Sequence, residues 1–94
     1  MNQLEEGRAV IDRVDQEFVK LFEERFAAVE QIADYKLEHD MAVLDAAREA
    51  AIIEKRTQEV AEPLRPYFME WYREMLKQSR EYQKKRIESY KKQK

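Results

Sequence analysis

The sequence predicts an all-α fold, three helices in a single domain over residues 1–94, and three observations predict it. The 94-residue chain has one Gly and two Pro, with 40% of its residues charged, and Ala, Glu, Lys, Arg and Leu dominate, a composition typical of long helices. Apolar residues recur at steps of three and four, the period of a helix with one buried stripe. No stretch alternates apolar and polar residues as a half-buried strand does.

The first helix is predicted from about Leu4 to about Leu37. Leu4, Val10/Ile11, Val14, Phe18, Leu21/Phe22, Val29 and Ile32 form a near-heptad stripe. Arg25 and Lys36 fall on that stripe and Arg8 on its edge, while Gly7 weakens the first turns without breaking the pattern. Glu38–Asp40 is the predicted turn, with His39, the only histidine, as solvated surface. The second helix is expected from about Val43 or Asp45 to about Val60. Pro63 then fits the first turn of the third helix, where proline is tolerated. Pro66 either lies in that same turn or delays the helix by a few residues. The third helix places Phe68, Tyr72, Met75/Leu76, Ile87 and Tyr90 on one face, together with Ser79 and Gln83. Its aromatic start (Tyr67, Phe68, Trp71, Tyr72) reads as core packing.

Length has a consequence. A first helix of about 34 residues spans roughly 50 Å, and the second helix covers about half of that. The uncovered apolar stripe predicts a dimer in which two long helices pack together. Zero cysteines exclude disulfides and thiol chemistry. The first twenty residues carry Glu5, Glu6, Asp12 and Asp15 and no apolar run, which argues against a signal peptide. No segment reaches the ~20 apolar residues of a membrane span. The expectation is a cytoplasmic protein with no membrane contact. A net charge of −2 gives no reason to expect nucleic acid. Residues 80–94 hold seven cations against Glu81 and Glu88; they read as a basic, frayed helix end whose charge complements the macrodipole.

Charged and amide groups on buried stripes cost several kcal/mol unless something pairs with them. Arg25, Lys36, Arg48, Ser79 and Gln83 repeat that pattern on three helices. Arg25 and Lys36 stand 11 residues apart, roughly 16 Å, a gap that long side chains can close around a small molecule. Arg8 lies 28 residues before Lys36, roughly 42 Å away, so it can serve only a partner's site. Asp45, Arg48, Glu49 and Ile52 share a face of the second helix, and Ser79 and Gln83 are one turn apart on the third. The set has no metal-ligand spacing, no His partner for Ser79 and no Gly-rich phosphate loop. It suits binding carboxylates through arginine forks, and a reaction that needs clamping and charge stabilisation rather than a nucleophile. Each residue also has an ordinary reading: Asp45 as a helix N-cap, Glu49 paired with Arg48 or Lys55, Ser79 in a plain helix contact, Arg25 snorkelling. Together, at these spacings, they favour a pocket for an anionic ligand.

These spacings resemble the all-α (AroQ-class, type II) chorismate mutases. The resemblance rests on Arg8, Ile11-Asp12 with Asp15, Arg25, Lys36, the run Val43-Leu44-Asp45-Ala46-Ala47-Arg48-Glu49, and Ser79 through Gln83, and covers nearly the whole chain. It implies three helices per chain in an intertwined homodimer with two sites, and conversion of chorismate to prephenate by a [3,3] rearrangement on the way to phenylalanine and tyrosine. It implies no cofactor and no metal. By position, Arg25 and Arg48, with Arg8 from the partner, grip the two carboxylates, assisted by Ser79. Lys36 and Gln83 bond the ether oxygen. Glu49, with the backbone near Asp45, holds the ring hydroxyl. The segment Ala50-Ala51-Ile52-Ile53 is less acidic than the family pattern.

Two other readings share these residues. An isochorismate-pyruvate lyase has the same fold and ligand shape, with the 38–44 loop as the discriminating region. A non-catalytic helical module tolerates an occasional buried cation to fix its register, and predicts that Arg25, Lys36 and Gln83 accept apolar replacement.

Overall fold

A computed structural model describes residues 1–93. It contains helix α1 (Gln3–Glu38), helix α2 (Ala46–Gln58), a 3-10 turn (Glu62–Leu64) and helix α3 (Arg65–Lys92), with no strand among the described residues. The fold is therefore the three-helix, all-α arrangement expected.

Local chemistry sets each boundary. Asn2 caps α1 by accepting the Glu5 N–H at 2.8 Å, and its side-chain amide donates to the Glu5 carboxylate at 3.2 Å, an N-cap that satisfies one of the open N–H groups of the first turn. The other end closes at Asp40, whose φ of 52° is left-handed. There the Met41 N–H reaches the Lys36 carbonyl at 2.8 Å and the Asp40 N–H reaches Leu37 at 3.3 Å, the paired bonds of a Schellman motif. Asp45 caps α2 through the Arg48 N–H at 3.0 Å. The start of α3 needs correction: Pro63 lies in the 3-10 turn, and the helix proper begins at Arg65 with Pro66 in its first turn. Arg65 ties the junction down by donating to the Val60 and Gln58 carbonyls at 2.9 and 3.2 Å, satisfying groups that the end of α2 leaves open.

Helices α1 and α3 run side by side in the same direction. Phe18 meets Trp71, Arg25 meets Ser79, Glu30 meets Tyr82 and Asp34 meets Arg86. Helix α2 packs on α3. The core is thin: Val29, Ala33, Tyr72 and Leu76 are its buried apolar residues. Of the aromatic start of α3, Tyr72 is buried, but Tyr67 and Trp71 are exposed, so core packing describes only part of that run. Polar latches supplement the core. Tyr82 donates to Glu30 at 2.5 Å, and Arg86 forks onto Asp34 at 2.9 and 3.2 Å while lying over the Tyr90 ring at 5.1 Å.

The first 24 residues are all exposed, including Leu4, Val10, Ile11, Val14, Phe18, Leu21 and Phe22. The radius of gyration is 17.1 Å, against about 12 Å for a compact chain of this length. The accessible surface is 7863 Å², about 2,000 Å² more than a compact monomer of this mass exposes. No described helix is long and apolar enough to cross a membrane.

Candidate active site

The polar stripe residues lie along α3 and on the faces of α1 and α2 that pack against it, and at the α1–α2 loop. Ser79 and Gln83 are 5% and 7% exposed, although both are polar. Register explains this: they share the α3 face of Tyr72 and Leu76, which packs against the rest of the chain. Arg25 is half-buried and donates to Ser79 Oγ at 2.7 Å, while Ser79 donates to the Met75 carbonyl at 2.9 Å. The Arg25 guanidinium is thus fixed by a hydroxyl and not neutralised, since none of the ion pairs among the described residues includes it. Gln83 Oε1 is buried without a hydrogen-bond partner. A buried amide left in that state costs about 1–3 kcal/mol, and most buried side-chain polar atoms avoid it.

Lys36 is half-buried and donates to the Val43 carbonyl at 2.6 Å. The same residue accepts the Met41 N–H with its own carbonyl, so it binds the α1–α2 loop twice. An ammonium has three N–H groups; the bond to Val43 uses one. Asp45 takes its ordinary role as N-cap, and Arg48, exposed on the first turn of α2, has no side-chain ion pair among the described residues. Glu49 differs from expectation. It pairs with Arg80 of α3, not with Arg48 or Lys55, and both side chains are mostly buried. Arg8 is exposed and lies 17 residues before Arg25, roughly 25 Å along the helix. The structure thus joins Arg25 to Ser79, one turn from Gln83 on α3, joins Glu49 to Arg80 beside Ser79, and ties Lys36 to the α1–α2 loop, while Arg8 lies far along α1 from all of them.

Charge around the junction is perturbed at the latch beside it. The Arg86 fork holds Asp34 below the usual carboxylate range, and Asp34 in turn raises Arg86. The hydrogen bond to Glu30 raises the Tyr82 phenol. These groups hold α1 and α3 in register next to the Arg25–Ser79 contact. A separate apolar cleft of about 480 Å³ lies between Phe18, Phe22, Phe26, Trp71, Met75 and Tyr82. Its lining carries Glu74, Glu81 and a single cation, Lys85, a poor match for an anionic ligand. The chemistry points instead to the junction of Arg25, Lys36 and Gln83.

The family model for chorismate mutase type II matches residues 7–84, a span that contains every site residue named above. The chain belongs to the chorismate mutase type II family. No curated protein and no solved structure matched it in the parallel comparisons. The family match ends at residue 84, within the α3 register that carries Ser79 and Gln83, and the helix itself continues to Lys92. The basic C-terminal end is accordingly helix over its described residues, and three of its cations, Arg80, Lys84 and Arg86, are engaged by carboxylates.

Sequence reasoning missed Arg80, the Val43 carbonyl and the Glu30–Tyr82–Arg86–Asp34 latch. The spacing within each helix carries no trace of them, because each joins positions on different elements. The one available signal for Arg80 was its place beside Ser79, inside the four-residue step to Gln83.

Proposed function

We propose that the protein is a chorismate mutase that converts chorismate to prephenate in a cytoplasmic homodimer, in the service of phenylalanine and tyrosine synthesis. The observation that carries this reading is Arg25, held by Ser79 and paired with no carboxylate among the described residues, on the face where Gln83 is buried and its Nε2 donor has no hydrogen bond among the described residues. Those groups match a ligand with two carboxylates and an oxygen that gains negative charge.

The mechanism is positional and electrostatic. Arg25 and Arg48 of one chain, with Arg8 of its partner, clamp the two carboxylates, and Ser79 orients Arg25. Fixing the minor, reactive conformer removes an entropic part of the barrier. As the C–O bond breaks, Lys36 and the Gln83 amide donate to the ether oxygen. Such donors stabilise the transition state more than the ground state, and each is worth about 10²–10³ in rate. Glu49 accepts from the ring hydroxyl. No protein nucleophile takes part, so no covalent intermediate forms.

The dimer is supported by area. An excess of about 2,000 Å² per chain doubles to about 4,000 Å², within the 2,000–5,000 Å² of obligate homodimers. The bare stripe from Leu4 to Phe22 is the surface to be covered, and Arg8 rides on it.

The deciding experiment is chorismate consumption by the purified protein with prephenate identified as the product. Pyruvate released from isochorismate, with no prephenate formed from chorismate, would overturn the reading in favour of the lyase. Absence of both activities would leave a helical interaction module.

A further inference from the structure

Glu49 presents a problem that the proposed chemistry creates. A carboxylate beside Arg25, Lys36 and Arg48 repels a dianionic ligand, and a flexible one also closes onto the cations that should hold that ligand. The structure answers both points with a residue outside the matched polar pattern. Arg80 follows Ser79 directly, so its backbone is fixed by the same packed turn that buries Ser79. Its guanidinium crosses from α3 to α2 and engages one oxygen of Glu49, Oε1. Side-chain exposures of 24% and 20% keep the pair largely out of bulk water, where an ion pair is screened less than at the surface. The Oε2 atom has no hydrogen bond among the described residues.

We propose that Arg80 is a positioning residue for the ring-hydroxyl contact: it pins Glu49 by Oε1, leaves Oε2 as the acceptor for the ligand's hydroxyl, and offsets the carboxylate charge that would otherwise oppose a dicarboxylate. This rests on the mutase reading of the same site. Arg80 touches neither the breaking nor the forming bond. Its effect is exerted through Glu49 on a hydroxyl that is gripped alike in the ground and transition states, so it falls on KM and leaves kcat nearly unchanged.

The test is a double-mutant cycle on the full-length protein with Arg80→Met, Glu49→Gln, both together, and Arg80→Lys. Chorismate kinetics and ligand-free melting at fixed protein concentration are recorded for each. Loss of a hydrogen bond to a charged group predicts a KM raised about ten- to a hundredfold for either single variant. The double variant should be no worse than the poorer single one, because the two residues act as one unit. Arg80→Lys should recover part of the KM, since it keeps the charge and a donor but not the rigid planar guanidinium.

Three results would overturn the proposal: unchanged kinetics in Arg80→Met, a loss confined to kcat, or single effects that multiply in the double variant. The last would mean that Arg80 contacts the ligand itself. Melting separates a structural role from a functional one; coupling in stability with none in KM also overturns it. If Arg80→Met does not fold, Arg80→Lys against Glu49→Gln supplies the same comparison. Wild-type protein that makes no prephenate refutes the mutase reading instead, and the melting cycle then still reports whether the two residues are coupled.

Discussion

Replacing Gln83 by leucine pits stability against turnover. The side chain is 7% exposed and its Oε1 atom has no partner. Leucine is close in volume and in helix propensity, so the exchange removes the unpaired amide without opening a large void. The relief expected is the penalty of one unsatisfied buried group, about 1–3 kcal/mol. For a domain of this size each kcal/mol moves the melting temperature by about 4–8 °C, so Gln83→Leu should melt several degrees higher at equal protein concentration. Its kcat should fall by about 10²–10³ for the lost donor. Differential scanning calorimetry and a chorismate-depletion assay on the same preparation read both. A variant that is less stable and still active would refute the reasoning, because the amide would then be structural. Gln83→Glu adds a pH handle. The new carboxyl donates only when protonated and is acceptor-only when ionised. Activity should therefore persist at low pH and fall as pH rises through that carboxyl's pKa, which burial lifts above the ordinary ~4.3. A flat profile would count against Gln83 as the donor.

Other outcomes can be checked with the same material. Lys36→Met should lower kcat by about 10²–10³ and loosen the 39–45 loop, read by hydrogen exchange at Met41 and Val43; full prephenate formation in that variant would remove Lys36 from the mechanism. Asp34 is held below its ordinary range by Arg86, so its contribution to stability is present above ~3.9 and is lost as pH falls through the lower folded value. Asp34→Asn should accordingly flatten the acid limb of stability against pH. The Tyr82 phenol is raised by Glu30, so its contribution holds below ~10 and is lost on further alkalinisation; Tyr82→Phe should flatten that opposite limb. Mixing Arg8→Ala with Lys36→Met chains, unfolded and refolded together, should restore intact sites to about a quarter of the total by random pairing in a two-fold dimer. No recovery of kcat/KM would mean that Arg8 serves its own chain or none.

The legible and illegible parts of this protein divide along a physical line. Periodicity locates α1 within a residue or so at each end, because its apolar stripe from Leu4 to Ile32 keeps the helical period even where this chain alone leaves it exposed. Asp45 was readable as a cap for the same local reason, since an N-cap concerns only the next three residues. The delayed start of α3 was harder. Pro63 and Pro66 both suit a first turn, and what decides between them is Arg65 reaching back to Val60 and Gln58, an interaction with the end of α2. Candidate site residues stood out as polar groups at apolar positions, which is how Arg25, Ser79 and Gln83 were found. Glu49 shows where that method stops. The helix pattern places its face and offers Arg48 or Lys55 of the same helix as ordinary partners, whereas the structure pairs it with Arg80, 31 residues away. Pairing across elements depends on the register between helices, and no single-helix pattern contains it.

The same division bears on why this chain keeps a site that weakens it. Four apolar residues are buried among the described residues, and the interior also holds Thr57, Ser79 and Gln83. Thr57 bonds the Ile53 carbonyl at 2.6 Å and Ser79 bonds Arg25 and Met75; Gln83 Oε1 is buried without a partner. A core this thin has little stability to spare. Folding in isolation would favour an apolar residue at position 83, and the bare stripe of α1 would still need cover. In the proposed dimer, pairing of two chains would supply that cover over an area large enough to hold an obligate dimer. It would also bring the outlying Arg8 to a second site. On this account the dimer supports folding and chemistry at once, so substitutions on the N-terminal half of α1, such as Ile11→Glu, should lower turnover and melting temperature together. A monomeric, fully active variant would separate the two and remove the partner's arginine from the mechanism.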